Sequence, residues 1–170
     1  TIEPRPETYF PVWIAGGSRI PDSLSPDQPY MVKTVLERIV KHADVFTCRA
    51  SGNTEWVARD YQTVRAYLES AGRDPSTLEL AHVQAGYVVD TSDSVKALSI
   101  QRKPMETIMG LNRDWDHLQE CYLVGSIDDI VEKLKFLESH GLEHVTIQPA
   151  GPEMEQVDLW MEKIIIPFFR

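Results

Sequence analysis

Short apolar runs alternate with amphipathic stretches along this chain. Residues 11–17, PVWIAGG, form a run that ends in paired glycines, which is typical of a buried parallel strand followed by a tight turn. Similar runs at 43–48, 78–90 and 144–149 predict three more strands. The third of the four strands is unusually long, and Gly86 inside it indicates a bulge or a close approach of another backbone segment.

Between these runs, apolar residues recur at the spacing of helices. The stretch 30–42 connects the first two strands and is predicted to be helical. A second helix begins at Asn53 or Thr54, either of which can cap its first turn, and ends at Gly72. The last helix of the chain is predicted to end at Pro167, because proline cannot continue a helix.

The region between the third and fourth strands contains further helical patterns. Within residues 92–120, Pro104 separates two short patterns, which predict two short helices. Ser126 is followed three residues later by Asp129, and this spacing resembles a capping box at a helix start. The helix that begins there is predicted to end at Gly141.

The alternation of strands and helices predicts the α/β class, with a parallel sheet and helices packed outside it. Four βα units form either a small open sheet or one half of a TIM-type (β/α)8 barrel, which typically needs ~250 residues. The chain has 170 residues, and this length favours half a barrel. Residues 1–170 are therefore predicted to form a single partial domain.

Composition and charge narrow the class of protein. The formal net charge is −9 and Lys and Arg do not cluster, which argues against a nucleic-acid partner. No apolar run approaches the ~20 residues that a membrane span needs, so we expect no membrane partner and a cytoplasmic protein. Cys48 and Cys121 lack the spacing of a zinc site or a disulfide framework, and no metal site is predicted. The chain opens in a proline-rich loop that runs into a strand, as expected for a cut through a larger protein.

Five segments carry a resemblance to a known family. They are PVWIAGGS, HADVFTCRA, AGRDPSTLEL, YLVGSIDDIVEKLKFLESHGLEHVTIQPAG and WMEKIIIPFFR. Their order resembles the luciferase-like monooxygenases, in which a P-x-W-x-x-G-G strand, an ADG-like strand, a GRDP turn and a G-[ST]-x-[DE]-[DE] helix follow one another. The resemblance runs from Pro11 to Arg170 and corresponds to strands five to eight of the barrel. Residues 43–45 read ADV instead of ADG, and residues 91–120 match no family pattern.

The resemblance implies a function for the intact protein. It would be a flavin- or deazaflavin-dependent oxidoreductase, with FMN or alternatively a deazaflavin coenzyme as cofactor and a small organic molecule as substrate. This chain would be its C-terminal half and would contribute to binding of the cofactor phosphate. A half barrel exposes strand edges, so we expect it to pair with the missing N-terminal half or with a second copy, as a homo-oligomer. The alternative is a non-enzymatic half barrel that dimerises as a flavin-binding or interaction module.

A GGS turn after the first strand is the predicted cofactor site. Glycines allow backbone N–H groups to approach an anion, and a hydroxyl adds another donor. By itself such a turn is more often only a tight turn, whereas the resemblance implies that Gly16, Gly17 and Ser18 bind phosphate. Arg19 would add positive charge there or be solvated.

Three polar residues near the ends of the other strands are candidates for substrate binding. Active sites of such barrels lie at the carboxyl ends of the strands, where we expect Arg49, Gln84 and Gln148 to face a ligand. Each is also compatible with an ordinary strand residue whose hydrogen bonds are satisfied. None of the five histidines has a nucleophile or carboxylate at a diagnostic spacing, so no catalytic residue is assigned.

Overall fold

A computed structural model describes residues 8–18, 30–110 and 113–169. Its sheet has the strands β1 (Trp13–Gly16), β2 (Val45–Cys48), β3 (Glu79–Gly86) and β4 (His144–Pro149). All neighbouring strands are parallel, and their order in the sheet is their order along the chain. A doubly wound sheet reverses its strand order, whereas a barrel does not. The predicted α/β class, with four consecutive βα units of a TIM-type barrel, is confirmed.

Helices cover one face of this sheet. They are α1 (Lys33–His42), α2 (Thr54–Ser70), α3 (Ser94–Met109), α4 (Trp115–Cys121), α5 (Ile127–Ser139), α6 (Glu155–Leu159) and α7 (Ile166–Phe168), with a π-helical segment, Trp160–Ile165, between the last two. Asn53 caps α2 by accepting a hydrogen bond from the backbone N–H of Trp56. Ser126 and Asp129 form the predicted capping box of α5.

Two predicted boundaries are wrong, and a third is displaced by one residue. Pro104 does not separate two helices but lies inside α3, and the second helix of that region is α4, from Trp115. The last helix runs through the π-helical segment and ends at Phe168, one residue beyond Pro167. The strand predicted over 78–90 ends at Gly86, because beyond it the backbone of Val88 pairs with a side chain instead of a strand.

That side chain is the amide of Gln156 at the start of α6. Its Oε1 accepts from the Val88 N–H at 2.8 Å, and its Nε2 donates to the Val88 carbonyl at 3.0 Å.

Gly86 marks a close backbone approach, which was one of the two predicted alternatives. A β-carbon on Gly86 would lie 2.5 Å from the Leu123 carbonyl oxygen and 2.7 Å from the Trp160 ring.

The sheet has two different faces. Alternate residues such as Phe46, Cys48 and Leu80 pack against α1 and α2 in a buried core. The register places Trp13, Val83 and other residues on the opposite face, which the described helices do not cover. In a closed barrel this open face is the interior.

The sheet is curled around this open face. Trp13 lies in β1 and His144 in β4, three strand spacings apart, which in a flat sheet is about 14 Å. Their ring centroids are only 5.7 Å apart. His144 also contacts Glu79 of β3, with 2.7 Å between Nε2 and Oε2. The open face is therefore concave, as half a barrel requires.

The arginine of the GRDP segment has a structural role at the opposite end of the sheet from the strand carboxyl ends. Arg73 donates to the carbonyls of Val40 at 3.0 Å and Ala43 at 2.7 Å, which terminate α1. A cation at a helix C-terminus satisfies free carbonyls and complements the helix dipole. Asp74 accepts from the Ser76 N–H and so caps the following turn. The segment thus connects α1 to the turn before β3.

We predict that Arg73→Met lowers the free energy of unfolding by about 2 kcal/mol, because it removes charge-assisted hydrogen bonds but keeps the alkyl stem. Urea unfolding measures the difference. Arg102→Met is the matched control, since Arg102 forms only an exposed pair with Glu106 and should change stability by less than about 0.5 kcal/mol. Equal effects of the two substitutions would contradict the role of Arg73.

We predict that Gly86→Ala lowers the free energy of unfolding by about 3 kcal/mol, because the new methyl group meets a backbone oxygen that cannot move independently. Gly52→Ala is the control. Its methyl group would have ordinary contacts, the nearest at 3.5 Å to Val57, and should be nearly neutral. Thermal unfolding of both variants tests the prediction, and a stable Gly86→Ala protein would refute the close approach.

Candidate functional site

The carboxyl ends of all four parallel strands lie at one edge of the sheet. A cavity of about 270 Å³ opens at this edge. It is lined by Ala50, Ser51, Val83, Gln84, Ala85, Met109, Arg113, Tyr122 and Gln148. Two of the predicted substrate-binding residues, Gln84 and Gln148, are therefore brought together. The lining contains one arginine and no carboxylate, although the chain as a whole carries a net charge of −9.

An arginine and a tyrosine supply most of the polarity of this cavity. The Arg113 guanidinium donates a hydrogen bond to the Tyr122 hydroxyl and lies 5.9 Å from the centroid of its ring. Burial raises the pKa of Tyr122, so its hydroxyl is neutral at pH 7. Neither residue was predicted from the sequence: Arg113 lies in the stretch that matches no family pattern, and Tyr122 begins the YLVG segment without any signal of a place in a site. Their position at the strand ends emerges only from the path of α3 and α4.

Gln84 and Gln148 occupy opposite faces of the sheet. Gln148 lies on the open face and is exposed. Gln84 is buried, and its Nε2 donates to the Cys121 carbonyl at 2.9 Å and lies 2.8 Å from Nε2 of His82. Its Oε1 has no hydrogen-bond partner among the residues that the structure describes. The Gln84 amide thus connects β3 to the end of α4, while Gln148 is free to meet a ligand.

The hydrogen bonds of Gln84 determine the protonation of His82. The amide nitrogen only donates, so Nε2 of His82 accepts and the ring proton lies on Nδ1, 3.4 Å from the Cys48 carbonyl. A proton on Nε2 would place two donors against each other. Burial lowers the pKa of His82 to about 4, against an ordinary value of 6.5. His82 is therefore neutral at pH 7, and its Nε2 lone pair is occupied by the Gln84 amide.

A buried carboxylate lies next to the predicted phosphate-binding turn. Asp60 of α2 accepts from the backbone N–H of Ser18 at 2.8 Å and from the Ser18 hydroxyl. The thiol of Cys48 also donates to Asp60, with 3.3 Å between Sγ and Oδ2. Burial raises the pKa of Cys48, and the neighbouring Asp60 charge adds to this effect, so the thiol stays protonated.

Asp60 was missed in the sequence, although a signal was present. Val57, Tyr61 and Val64 form an apolar stripe along α2, and Asp60 falls within that stripe at helical spacing. A carboxylate on the buried face of a helix requires partners, and Ser18 and Cys48 provide them. The predicted role of Ser18 as a phosphate donor stays a prediction, but its two donors are already bonded to Asp60.

Arg49 lies on the other side of the same turn. A β-carbon on Gly17 would be 3.1 Å from Cγ of Arg49 and 3.1 Å from Oδ2 of Asp60. Nη2 of Arg49 is buried and has no hydrogen-bond partner within the described parts of the chain. Gly17, Ser18 and Arg49 are thus brought together with Asp60, whereas Arg19 lies outside the described residues.

Neither a metal-binding cluster nor a membrane-spanning helix is found among the described residues. Within residues 8–18, 30–110 and 113–169, no group of three or more His, Cys, Asp and Glu side chains is placed to hold a metal ion. In the same residues, no helix is both long enough and apolar enough to cross a membrane. Cys48 and Cys121 are free, buried thiols.

The neutral state of His82 makes stability depend on pH. The unfolded chain binds a proton at His82 below pH 6.5, whereas the folded chain does so only near pH 4. The unfolded state therefore binds more protons between these values, and stability falls as the pH falls. We predict that His82 lowers the free energy of unfolding by about 3 kcal/mol as the pH falls from 6.5 to 4.

Urea unfolding between pH 4 and pH 7 measures this dependence, with His82→Asn as the comparison. The variant is less stable at pH 7, but its stability should fall less steeply with decreasing pH. Parallel pH profiles of the two proteins would show that His82 is not the group responsible.

Comparison with known proteins gives matches among solved structures. No family model matches the chain, and no curated protein matches it. An F420-dependent secondary alcohol dehydrogenase, solved with an F420-acetone adduct, is 16% identical, with a TM-score of 0.68 over 99% of this chain and 51% of that one. A monooxygenase from Streptomyces bottropensis is 17% identical, with a TM-score of 0.61 over 94% of this chain and 48% of that one. A riboflavin lyase, solved with modified FMN and substrate riboflavin, is 11% identical, with a TM-score of 0.60 over 91% of this chain and 42% of that one.

These matches agree with each other in extent. The chain spans about half the length of each of the three proteins, and the match includes nearly all of its own length. At this level of identity the comparison concerns the fold. The predicted resemblance to the luciferase-like monooxygenases is confirmed in the fold, and this chain has the architecture of half of such a barrel.

Proposed function

We propose that the intact protein is a flavin- or deazaflavin-dependent oxidoreductase and that this chain forms the C-terminal half of its barrel. The observation that carries the proposal is the match of almost the whole chain to about half of enzymes whose structures were solved with an F420 adduct or modified FMN. The cavity at the strand carboxyl ends supports it, because barrel enzymes bind their ligands at that edge. FMN is the first candidate cofactor and F420 the alternative.

The residues of the cavity bind and orient rather than transfer protons. Arg113 offers a guanidinium to a carbonyl or an anionic group, and Ser51 in the turn after β2 and Gln148 of β4 add smaller polar groups. Ala50 and Met109 provide apolar surface for a flat ring or a substrate. The cofactor supplies the redox chemistry when bound, so the protein needs mainly to hold it and exclude competing reactions.

The geometry of the sheet supports a second half. β1 pairs only with β2 and β4 only with β3 among the described strands, so the outer edges of β1 and β4 are both open. An apolar groove of about 550 Å³ lies beside β4 and is lined in part by Leu142, Val145 and Ile165. In a closed barrel, strands and helices of the other half cover such edges. We propose the N-terminal half of the same protein as this partner.

The alternative, a dimerising module, also uses the two open edges. A two-fold axis along the barrel would place β4 of one copy beside β1 of the other, which forms eight parallel strands without an N-terminal half. This arrangement predicts a homodimer of the chain and no turnover. The mass of the assembly separates it from the enzyme, whose barrel closes within one longer protein.

Titration of the intact protein with FMN and, separately, with F420 tests the enzyme proposal by quenching of cofactor fluorescence. We expect one of the two to bind at one site per barrel with a micromolar Kd or better, together with oxidoreductase turnover of a small organic substrate. Native mass spectrometry on the same sample measures the stoichiometry. A folded protein that binds neither cofactor would overturn the proposal, and a colourless homodimer of this chain would favour the module.

A matched pair of variants locates the binding site. Arg113→Gln should weaken cofactor binding about tenfold, because it removes a charged donor from the cavity. Arg102→Gln changes charge equally but lies on an exposed face of α3, paired with Glu106. It should leave the affinity unchanged. Equal weakening by both would mean that only overall charge matters.

A further inference from the structure

The turn after β1 lies between two opposite charges. Asp60 approaches it from α2 and Arg49 from the end of β2, each within 3.1 Å of the position that a Gly17 β-carbon would occupy. A side chain at residue 17 would therefore displace one or both of them. Glycine at residue 17 thus allows Asp60 and Arg49 to approach the turn. An anionic ligand at this turn would bind to one of the neighbouring donor groups.

Ser18 is not free to receive one. Both of its donors, the backbone N–H and the hydroxyl, are bonded to the Asp60 carboxylate, which is 3% exposed. Cys48 supplies a third hydrogen bond to the same carboxylate. Asp60 thus occupies, as an internal anion, the donors that a phosphate would need. A second anion there would meet the repulsion of the first in a poorly solvated site.

Arg49, unlike Ser18, has a donor that is not bonded to any described residue. Its Nη2 is buried without an acceptor among the described residues, which is a costly state for a guanidinium. Its side chain extends from Gly17 towards Gly52, where a β-carbon would lie 4.0 Å from Nε. The planar guanidinium matches a phosphate with two parallel hydrogen bonds. A donor without an acceptor, at the carboxyl edge of the sheet, indicates an anionic ligand.

We propose that Arg49 binds the phosphate of the cofactor and that Ser18 is a structural residue held by Asp60. The inference rests on the proposed function and assigns the phosphate to a different residue from the one predicted in the GGS turn. Gly17 contributes by leaving space for the Arg49 side chain, whereas Gly16 packs against Val35 and Phe46. Asp60 tethers the turn to α2 through its hydrogen bonds with Ser18.

FMN and riboflavin differ only in the phosphate and therefore isolate its contribution. In the intact protein we expect FMN to bind about 10-fold to 100-fold more tightly than riboflavin. Arg49→Gln should bring this ratio close to one while leaving riboflavin affinity unchanged, and Arg49→Lys should give an intermediate ratio. If F420 is the cofactor, the same comparison uses its deazaflavin chromophore without the phosphate.

Ser18→Ala tests the other candidate for the phosphate. We expect it to keep the wild-type ratio of FMN affinity to riboflavin affinity. Because it leaves Asp60 with fewer donors, Ser18→Ala combined with Asp60→Asn provides a second variant without an unpaired charge. Riboflavin binding shows that each variant is folded. A ratio near one in these variants, together with an unchanged ratio in Arg49→Gln, would overturn the inference.

A third readout separates this inference from the proposed function. If no flavin or deazaflavin binds to the wild-type protein, the proposed function fails, and inorganic phosphate then serves as the probe. At constant ionic strength, we expect phosphate to raise the Tm of the wild-type protein and not that of Arg49→Gln. An equal rise in both proteins, or no rise in the wild type, would contradict a phosphate site at Arg49.

Discussion

Parallel pairing of the four strands in their chain order is the constraint on which the rest of the structure depends. It places every strand carboxyl end at one edge of the sheet, where the cavity that contains Gln84 and Gln148 opens. It also leaves two open edges and a concave face. The proximity of Trp13 and His144 shows how strongly the sheet curls. The cavity and the open edges thus have the same physical origin.

Buried polar groups stabilise this region through internal partners. The His82, Gln84 and Cys121 contacts connect β3 to α4, and the Ser18, Asp60 and Cys48 contacts connect the turn after β1 to α2. Each set replaces water lost on burial by hydrogen bonds inside the protein. Nη2 of Arg49 is one of four buried side-chain atoms without a hydrogen-bond partner among the described residues, and it is the one at which we propose a ligand.

Much of the fold is predictable from local patterns. The capping box at Ser126 and the strand at 144–149 were predicted because their signals are short-range and strong. The strand over 78–90 was predicted too long, since its end depends on Gln156, 68 residues away from Val88. Asp60 and Arg113 show the same limit in the site. The Ser18 partner of Asp60 is 42 residues away, and Arg113 lies within residues 91–120, which carry no recognisable family pattern.

An experimental structure of the intact protein, determined with FMN or F420 bound, tests the central claim most directly. The account predicts a closed eight-stranded barrel in which the strands of the other half pair with the outer edges of β1 and β4. The cofactor ring should lie over the cavity that contains Arg113 and Gln148, with the phosphate at Arg49. A barrel with its cofactor elsewhere, or open edges covered only by a second copy of this chain, would contradict it.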